Sequence, residues 1–420
     1  MEGYALAKMT SRQRVRAVLN GEIPDRVPID FGGSQTTGIH MDAYIDLARY
    51  LGIDAEPPKV YEQFQMLARV EGYMRDWFRT DVVELENDSL SWDIVNKDWK
   101  PWVNMAGNTV LMPGGFNPTQ DEKGYLYLYD KRGDVCARMA PGSRYFDRFG
   151  EPKNLRSFDD DPIAPEDWKK RIPRYTDEEL KHLQQRARII YEYTDYAIFG
   201  GFLKGSKLGT TGVFAGYDLE EWFYILVSDP DYANELFHAT AEAAVENLKL
   251  YLDACGEYMD ILMMSTSDYG TQRGPMISPE VFNRVYVPNY RIMNDYVHEH
   301  SKVKTFFHSC GSIRTLLNGF IDAHVDAINP VQLSALNMNP KELKEEFGKR
   351  IVFWGGGIDT QDVLPNGSVD EVREHVKNNL LTFKEGGNYV FNTVHNIQAL
   401  VPPQNIEAML ETVMEYGKYE

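Results

Sequence analysis

Lys302-Val303-Lys304-Thr305-Phe306-Phe307-His308-Ser309-Cys310-Gly311-Ser312 is the stretch whose reading decides the fold. Residues 302–307 read as a buried strand, and Gly311 breaks it before a helix over 312–323. Successive strand residues point to opposite faces, so His308 and Cys310 share one side at the strand's C-terminal end. A thiolate and an imidazole placed together suit zinc, which takes both in a tetrahedral shell. Two donors do not complete a site. A buried cysteine is usually an inert small hydrophobe, and a buried histidine is usually a hydrogen-bonded core residue.

Working outward, strands and helices alternate on both sides of this stretch. Strands are expected over 25–30, 81–86, 196–202, 258–266, 302–307, 325–330, 350–355 and 389–394. Helices are expected over 10–20, 41–51, 58–78, 218–227, 231–255, 278–300, 312–323, 340–347 and 404–416, with one more opened by a capping box at Ser368 and Glu371. Eight strands alternating with helices call for a parallel sheet, and eight units closing on themselves give an α/β fold of the (β/α)8 TIM-barrel kind. The rhythm breaks over residues 87–195. There Trp92, Trp99 and Trp102 cluster, Tyr125–Met139 gives a hairpin signal, and a capping box at Thr176 and Glu179 opens the returning helix. The expectation is one barrel domain over 1–420 with a large insertion after the second strand, over 87–195.

The 420 residues, 43% of them hydrophobic, are ample for a core. A formal charge of -19 argues against a nucleic-acid or acidic-membrane surface. Three cysteines, Cys136, Cys255 and Cys310, are too few and too odd for a disulfide framework and fit a reducing compartment. The opening residues hold no apolar core of signal-peptide length, and no run of about 18 apolar residues occurs. A cytoplasmic protein is expected, with neither nucleic acid nor membrane as partner.

In a barrel the chemistry sits at the C-terminal ends of the strands. Those ends carry Asp30, Glu84 and Glu86, Gly200-Gly201, Asp268, His308 and Cys310, Asn329 and Gln332, Gly355 to Asp359, and His395. Curvature could bring His308, Cys310 and His395 to one mouth as three zinc ligands with a fourth position open, the mark of a catalytic metal. Asp268, Glu84 and Asp30 are the candidate catalytic carboxylates. Gln272, Asn329, Gln332 and Asp359 are the candidate substrate contacts. Plainer readings stand beside these: Asp268 as a helix-entry turn residue, Glu84 and Glu86 as salt-bridge partners, Gly355-Gly356-Gly357 as a tight turn, and His298 and His300 as solvated residues at a helix end.

Further segments carry a resemblance. Ser11-Arg12-Gln13-Arg14-Val15, Gly21-Glu22-Ile23-Pro24-Asp25-Arg26-Val27-Pro28, Ile277-Ser278-Pro279-Glu280, Phe307-His308-Ser309-Cys310-Gly311 and Pro402-Pro403-Gln404-Asn405-Ile406 together resemble the uroporphyrinogen decarboxylase superfamily over most of the chain. The true decarboxylases carry an Arg-Gln-Ala-Gly-Arg run after the first strand. Here Asp30-Phe31-Gly32-Gly33-Ser34-Gln35-Thr36-Thr37 stands in its place, without the arginines that hold porphyrinogen carboxylates. The other branch, the methylcobamide-dependent methyltransferases, binds zinc through an HxC pair and a cysteine shortly before a Pro-x-x-Asn segment. The resemblance places the pair on His308 and Cys310 and the third ligand on His395, a departure from cysteine. Two histidines and one thiolate leave the zinc a stronger Lewis acid, which suits polarising an ether oxygen.

The resemblance therefore implies a zinc-dependent methyltransferase. Its corrinoid (cobalamin) would be carried by a separate partner protein, and a methoxylated aromatic compound would be its methyl donor. A homodimer would be ordinary for the superfamily. Two alternatives remain. One is a metal-free decarboxylase-like enzyme using Asp30 or Asp268, with Arg273 and Lys204 as the cations for substrate carboxylates. The other is a non-catalytic barrel that binds a ligand.

Overall fold

The computed structural model describes residues 9–149, 155–206 and 213–419. Its centre is a parallel sheet of seven strands: β1 Val82–Leu85, β2 Ala197–Gly200, β3 Ile261–Ser265, β4 Lys304–His308, β5 Ala327–Asn329, β6 Val352–Trp354 and β7 Tyr389–Val390. Each strand pairs with its neighbour in the chain, from β1 at one edge to β7 at the other. Helices that include Pro230–Cys255, Val287–His300, Pro340–Phe347 and Val369–Lys384 run between them. The result is an α/β fold with a curled parallel sheet, as in TIM-like barrels. Phe199, Phe306, Trp354, Ala327 and Val390 fill the inside of the curl, with Phe306 meeting Phe199 and Trp354 edge-on.

The segment expected as the first strand forms no strand of its own. It makes a single parallel bridge, Ile29 to Phe391, beyond the end of β7. It is nevertheless bonded on both sides. The Asp30 N–H donates to Phe391 O at 2.9 Å, and the Asp81 N–H, just before β1, donates to Ile29 O at 2.7 Å. Proline at position 28 has no N–H to give to a ladder, and Gly32-Gly33 ends the run two residues after Asp30.

Asp81 fixes this junction. Its buried carboxylate receives the Arg14 guanidinium at 2.7 Å, Arg26 at 2.7 Å and the Ile29 N–H at 2.8 Å. Arg14 is presented by the helix Ser11–Leu19, which opens on a capping box between Thr10 and Gln13.

The expected helix over 58–78 is a correction. Val60–Glu62 and Leu67–Ala68 are instead short antiparallel strands, and the helix begins only at Gly72 and runs to Phe78. The cause is local. The Glu62 carboxylate accepts the N–H groups of Phe64 and Gln65, which turns the chain where a helix would have continued. Both anticipated capping boxes are present, Thr176 with Glu179 and Ser368 with Glu371. Between β1 and β2 lie a two-stranded antiparallel sheet (Lys100–Val103, Thr109–Met112), a four-stranded antiparallel sheet that contains the expected Tyr125–Met139 hairpin, and the helix Asp177–Tyr193. Among the described residues no helix is long and apolar enough to cross a membrane.

Asp81→Ala would leave the buried Arg14 without one of its two carboxylates and release the Ile29 N–H. Removing one member of a buried pair costs about 3–5 kcal/mol. Urea unfolding should show a loss of that size. A loss below about 1 kcal/mol would show that the junction does not depend on Asp81.

Candidate metal centre

Strand β4 ends on His308, and the loop beyond it carries Cys310. Gly311 follows at φ +87, and a Cβ there would lie 2.3 Å from the carbonyl carbon of Gly270. Only glycine allows the loops after β3 and β4 to approach this closely. They are stitched together by Gly270 N–H to Cys310 O at 3.2 Å and Tyr269 N–H to Ser309 Oγ at 2.9 Å. The contact brings Asp268 to the site, where its Oδ1 accepts the Cys310 N–H at 2.7 Å and lies 3.8 Å from His308 Nε2.

His395 arrives from the other side, five residues past the end of β7. One ligand atom each from His308, Cys310 and His395 lies within 4.8 Å of the others. The two imidazoles meet edge-on, with centroids 5.4 Å apart, and Cys310 Sγ is 3.3 Å from His308 Nε2.

Hydrogen bonding fixes the tautomer of each ring. Asn329 Nδ2 donates to Trp354 O at 2.8 Å, so its Oδ1 is the atom that accepts from His308 Nδ1 at 2.6 Å. His308 therefore carries its proton on Nδ1 and turns the Nε2 lone pair toward Cys310. A side-chain oxygen behind a ligand histidine is the usual support of a metal site. His395 differs, because its Nδ1 accepts the Asn396 N–H at 2.8 Å. Its neutral ring carries the proton on Nε2, so binding a metal through Nε2 needs the other tautomer and release of the Asn396 N–H.

The electrostatics favour neutral donors. Burial lowers the pKa of His308, and burial together with the neighbouring His308 pushes His395 down to about 3. Burial, reinforced by the Asp268 carboxylate, holds the Cys310 thiol well above its ordinary range. Two neutral imidazoles beside a thiol whose proton a bound cation would have to displace fit a zinc-type metal by donor identity.

The other anticipated residues are distributed around this cluster. Asp30 is fully buried, and both of its oxygens are committed, Oδ1 to the Gly33 N–H and Oδ2 to Trp354 Nε1, each at 2.8 Å. Burial raises its pKa to about 6. Glu84 is buried at the end of β1, where Tyr61 Oη donates to its Oε2 at 3.1 Å. Burial and then the Glu86 charge raise it to about 8. Glu86 is the salt-bridge partner of Arg69, so the two glutamates divide between the readings offered for them. Asn329 supports His308, and Gln332 Oε1 accepts the Gly311 N–H at 2.7 Å. Asp359 Oδ1 caps the turn at Gln361 and Asp362, while its buried Oδ2 meets no partner. Gln272 is exposed and bonds Gln361. Lys204 is paired with Glu179. The Gly355-Gly356-Gly357 run packs tightly, since a Cβ at Gly357 would stand 2.2 Å from the Phe391 ring. His298 is a correction: it is half-buried and bonds Asp326 at 2.6 Å, while His300 is exposed. Tyr61 was missed because it falls in the stretch read as helix.

Comparison with known proteins adds the following. The uroporphyrinogen decarboxylase (URO-D) family model matches residues 149–416. No curated protein matches the chain. Among solved structures, a methyltransferase from Methanosarcina mazei is similar at TM-score 0.57 and 18% identity, over 97% of this chain and 99% of that one. At that identity the likeness concerns the fold. A glycoside hydrolase family 5 enzyme from Prevotella bryantii B14 (TM-score 0.28, 11% identity, 57% of this chain, 77% of that one) and an endo-1,4-beta-xylanase from Penicillium canescens (TM-score 0.29, 10% identity, 60% and 98%) are too distant to bear on the argument.

Glu84 gives a pH test. A carboxyl raised from 4.5 to about 8 binds a proton in the folded chain that the unfolded chain has already released. Its contribution makes stability fall as pH rises between those values. Glu84→Gln keeps the acceptor for Tyr61 and cannot ionise. The variant should gain on the wild type by a few kcal/mol between pH 5 and pH 8, measured by denaturant titration at each pH. A constant difference across that window would show that Glu84 ionises normally.

Proposed function

The chain belongs to the uroporphyrinogen decarboxylase (URO-D) family, and on that premise we propose that it is a zinc-dependent methyltransferase that moves a methyl group between a small substrate and a corrinoid protein. The observation that carries the reading is the convergence of His308, Cys310 and His395 within 4.8 Å. The missing arginine run after Asp30 supports it from the other direction, because nothing there replaces the cations that a polycarboxylate substrate would need. The structural neighbour from Methanosarcina mazei is itself described as a methyltransferase.

His308, Cys310 and His395 would hold the metal. When bound, zinc supplies Lewis acidity to a substrate heteroatom whose charge develops as the methyl group leaves or arrives. The chain's own residues do the rest. Asn329 keeps the His308 Nε2 lone pair aimed at the cluster. Asp268 holds the Cys310 backbone in place and presents an acceptor 3.8 Å from His308 Nε2. Glu84 keeps a proton near neutral pH, with Tyr61 bonded to its Oε2, and is the proton donor we assign to a leaving oxygen. A methoxylated aromatic compound is the methyl donor that this combination suits.

We further assign residues 87–195 as an insertion that caps the open end of an eight-stranded barrel, with 25–30 supplying the remaining strand. Support comes from Tyr145, whose hydroxyl bonds Gln398 at 2.7 Å and accepts the Ala399 N–H at 3.1 Å, beside the loop that carries His395. The metal-free decarboxylase reading is weaker. Asp30 has no free oxygen to offer, and Lys204 is already paired with Glu179.

Metal analysis by plasma mass spectrometry, run beside methyl transfer to cob(I)alamin from 2-methoxyphenol, tests the proposal. Near-stoichiometric zinc is expected in wild type and should be lost in Cys310→Ser and His395→Ala together with transfer. Asn329→Ala should weaken zinc about 10–100-fold, while Asn329→Asp, which keeps an acceptor for His308 Nδ1, should lose less. Wild-type protein without metal, or transfer that survives Cys310→Ser, would refute the reading.

A further inference from the structure

The helix Leu219–Ser228 is apolar on every side. Residues 222–227 run Trp-Phe-Tyr-Ile-Leu-Val without a polar break. Trp222, Ile225 and Leu226 form its inner face and are buried. Tyr224 and Val227, three residues apart and therefore neighbours on the helix surface, are 56% and 79% exposed. A surface helix ordinarily turns polar residues outward, and one that is apolar all round is a buried helix. The bare surface continues beyond the helix. The Phe158 ring, 39% exposed, meets the Tyr224 ring edge-on at 4.7 Å. The first turn of the same helix holds Phe158 there. Its N–H donates to Glu221 Oε2 at 2.8 Å, and Ser157 Oγ donates to Glu221 Oε1 at 3.2 Å.

The rim of this face is acidic. Asp159, Asp160 and Asp161 follow Phe158, Glu220 lies in the first turn of the helix, and Asp229 and Asp231 follow its end, all of them exposed. Arg284 answers Asp231 at 2.7 Å, and Arg156 is bonded to the Asp161 carbonyl and lies over the Tyr217 ring. The surplus is negative. A second copy of this chain does not suit the face, because two-fold pairing sets the same patch against itself and brings acid onto acid. A nucleic acid or an anionic lipid surface is repelled for the same reason.

The face lies at the end of the sheet where the strands finish. The helix Pro230–Cys255 follows directly and ends just before β3 begins, so its Pro230 end is at the opposite end of β3. Trp222 meets Phe237 on that helix, and Phe237 meets Tyr286 in the helical turn Phe282–Tyr286, which is entered from the loop after β3. A partner seated here is at the same end of the curled sheet as His308, Cys310 and His395.

We propose that Phe158, Tyr224 and Val227 are the centre of a docking surface for a protein that presents an apolar patch ringed by Lys and Arg. The apolar centre supplies affinity, and the acidic rim selects the partner and its orientation. The inference needs no metal and stands apart from the proposed function.

Fluorescence anisotropy of the full chain with a labelled helical peptide tests the face. The peptide carries Leu at helical spacing with Lys at the flanking positions, and its control carries Glu in place of Lys. The Lys peptide should bind on the order of tenfold or more tighter than the Glu peptide, with the difference shrinking at about 0.5 M salt as screening sets in. Tyr224→Ser with Val227→Ser should weaken the Lys peptide about tenfold, the scale of one buried apolar side chain. Asp159→Asn with Glu220→Gln should weaken it less and flatten its salt dependence, and reports separately should the first variant not fold. Sedimentation velocity of wild type and of Val227→Ser runs in parallel. No binding, equal binding of the Glu peptide, or binding unchanged in both variants overturns the surface. A wild-type dimer that Val227→Ser dissociates also overturns it, since a second copy is then what covers the face.

Discussion

A belt of buried side-chain hydrogen bonds crosses the inside of the curled sheet, and the site depends on it. His308 at the end of β4 donates to Asn329 on β5, and Asn329 donates to the Trp354 carbonyl on β6. The Trp354 indole donates to Asp30, and Asn392, just past β7, reaches the Asp30 carbonyl at 2.5 Å. Four successive elements and the segment beside β1 are thereby held in one register. The belt begins at a metal-ligand candidate, so the same bonds that set the strands also set the direction of its lone pair. A network of this kind rigidifies only if every member is satisfied, and here each of these donors has its acceptor.

The belt also explains why the buried acids differ in role. Asp30 is consumed by the belt and serves structure. Glu84, one element away, takes a bond from Tyr61 on Oε2 and is further stabilised by the Gln35 amide. Both carboxyls are pushed upward by burial. The burial that makes a carboxylate costly at these positions also makes neutral imidazoles out of His308 and His395. The site thus holds little charge of its own to compete with a cation brought to it.

Much of this was legible in the sequence. The His308–Cys310 spacing, the break at Gly311 and the position of His395 after the last strand followed from strand periodicity and from the fold's habit of gathering strand ends. The capping boxes were readable because they are local. The stretch 58–78 was not, because Glu62 turns the chain through contacts with backbone two and three residues on, and apolar spacing does not reveal that. Tyr61 escaped for a related reason, because it meets the site only through Glu84, a neighbour distant in sequence, and sits in no motif. The strand at 25–30 reduced to isolated bridges at Arg26 and Ile29 because Pro28 lacks a donor and glycines end the run. The tautomer of His395 depends on a single backbone N–H, a detail no pattern of residue types encodes.

The central claim is that His308, Cys310 and His395 share one metal ion. X-ray absorption at the zinc edge of the purified protein tests it most directly. The account predicts a four-coordinate shell with one sulfur at about 2.3 Å and nitrogen or oxygen donors at about 2.0–2.1 Å, two of them imidazole. A shell without sulfur, or with more than one, would contradict it.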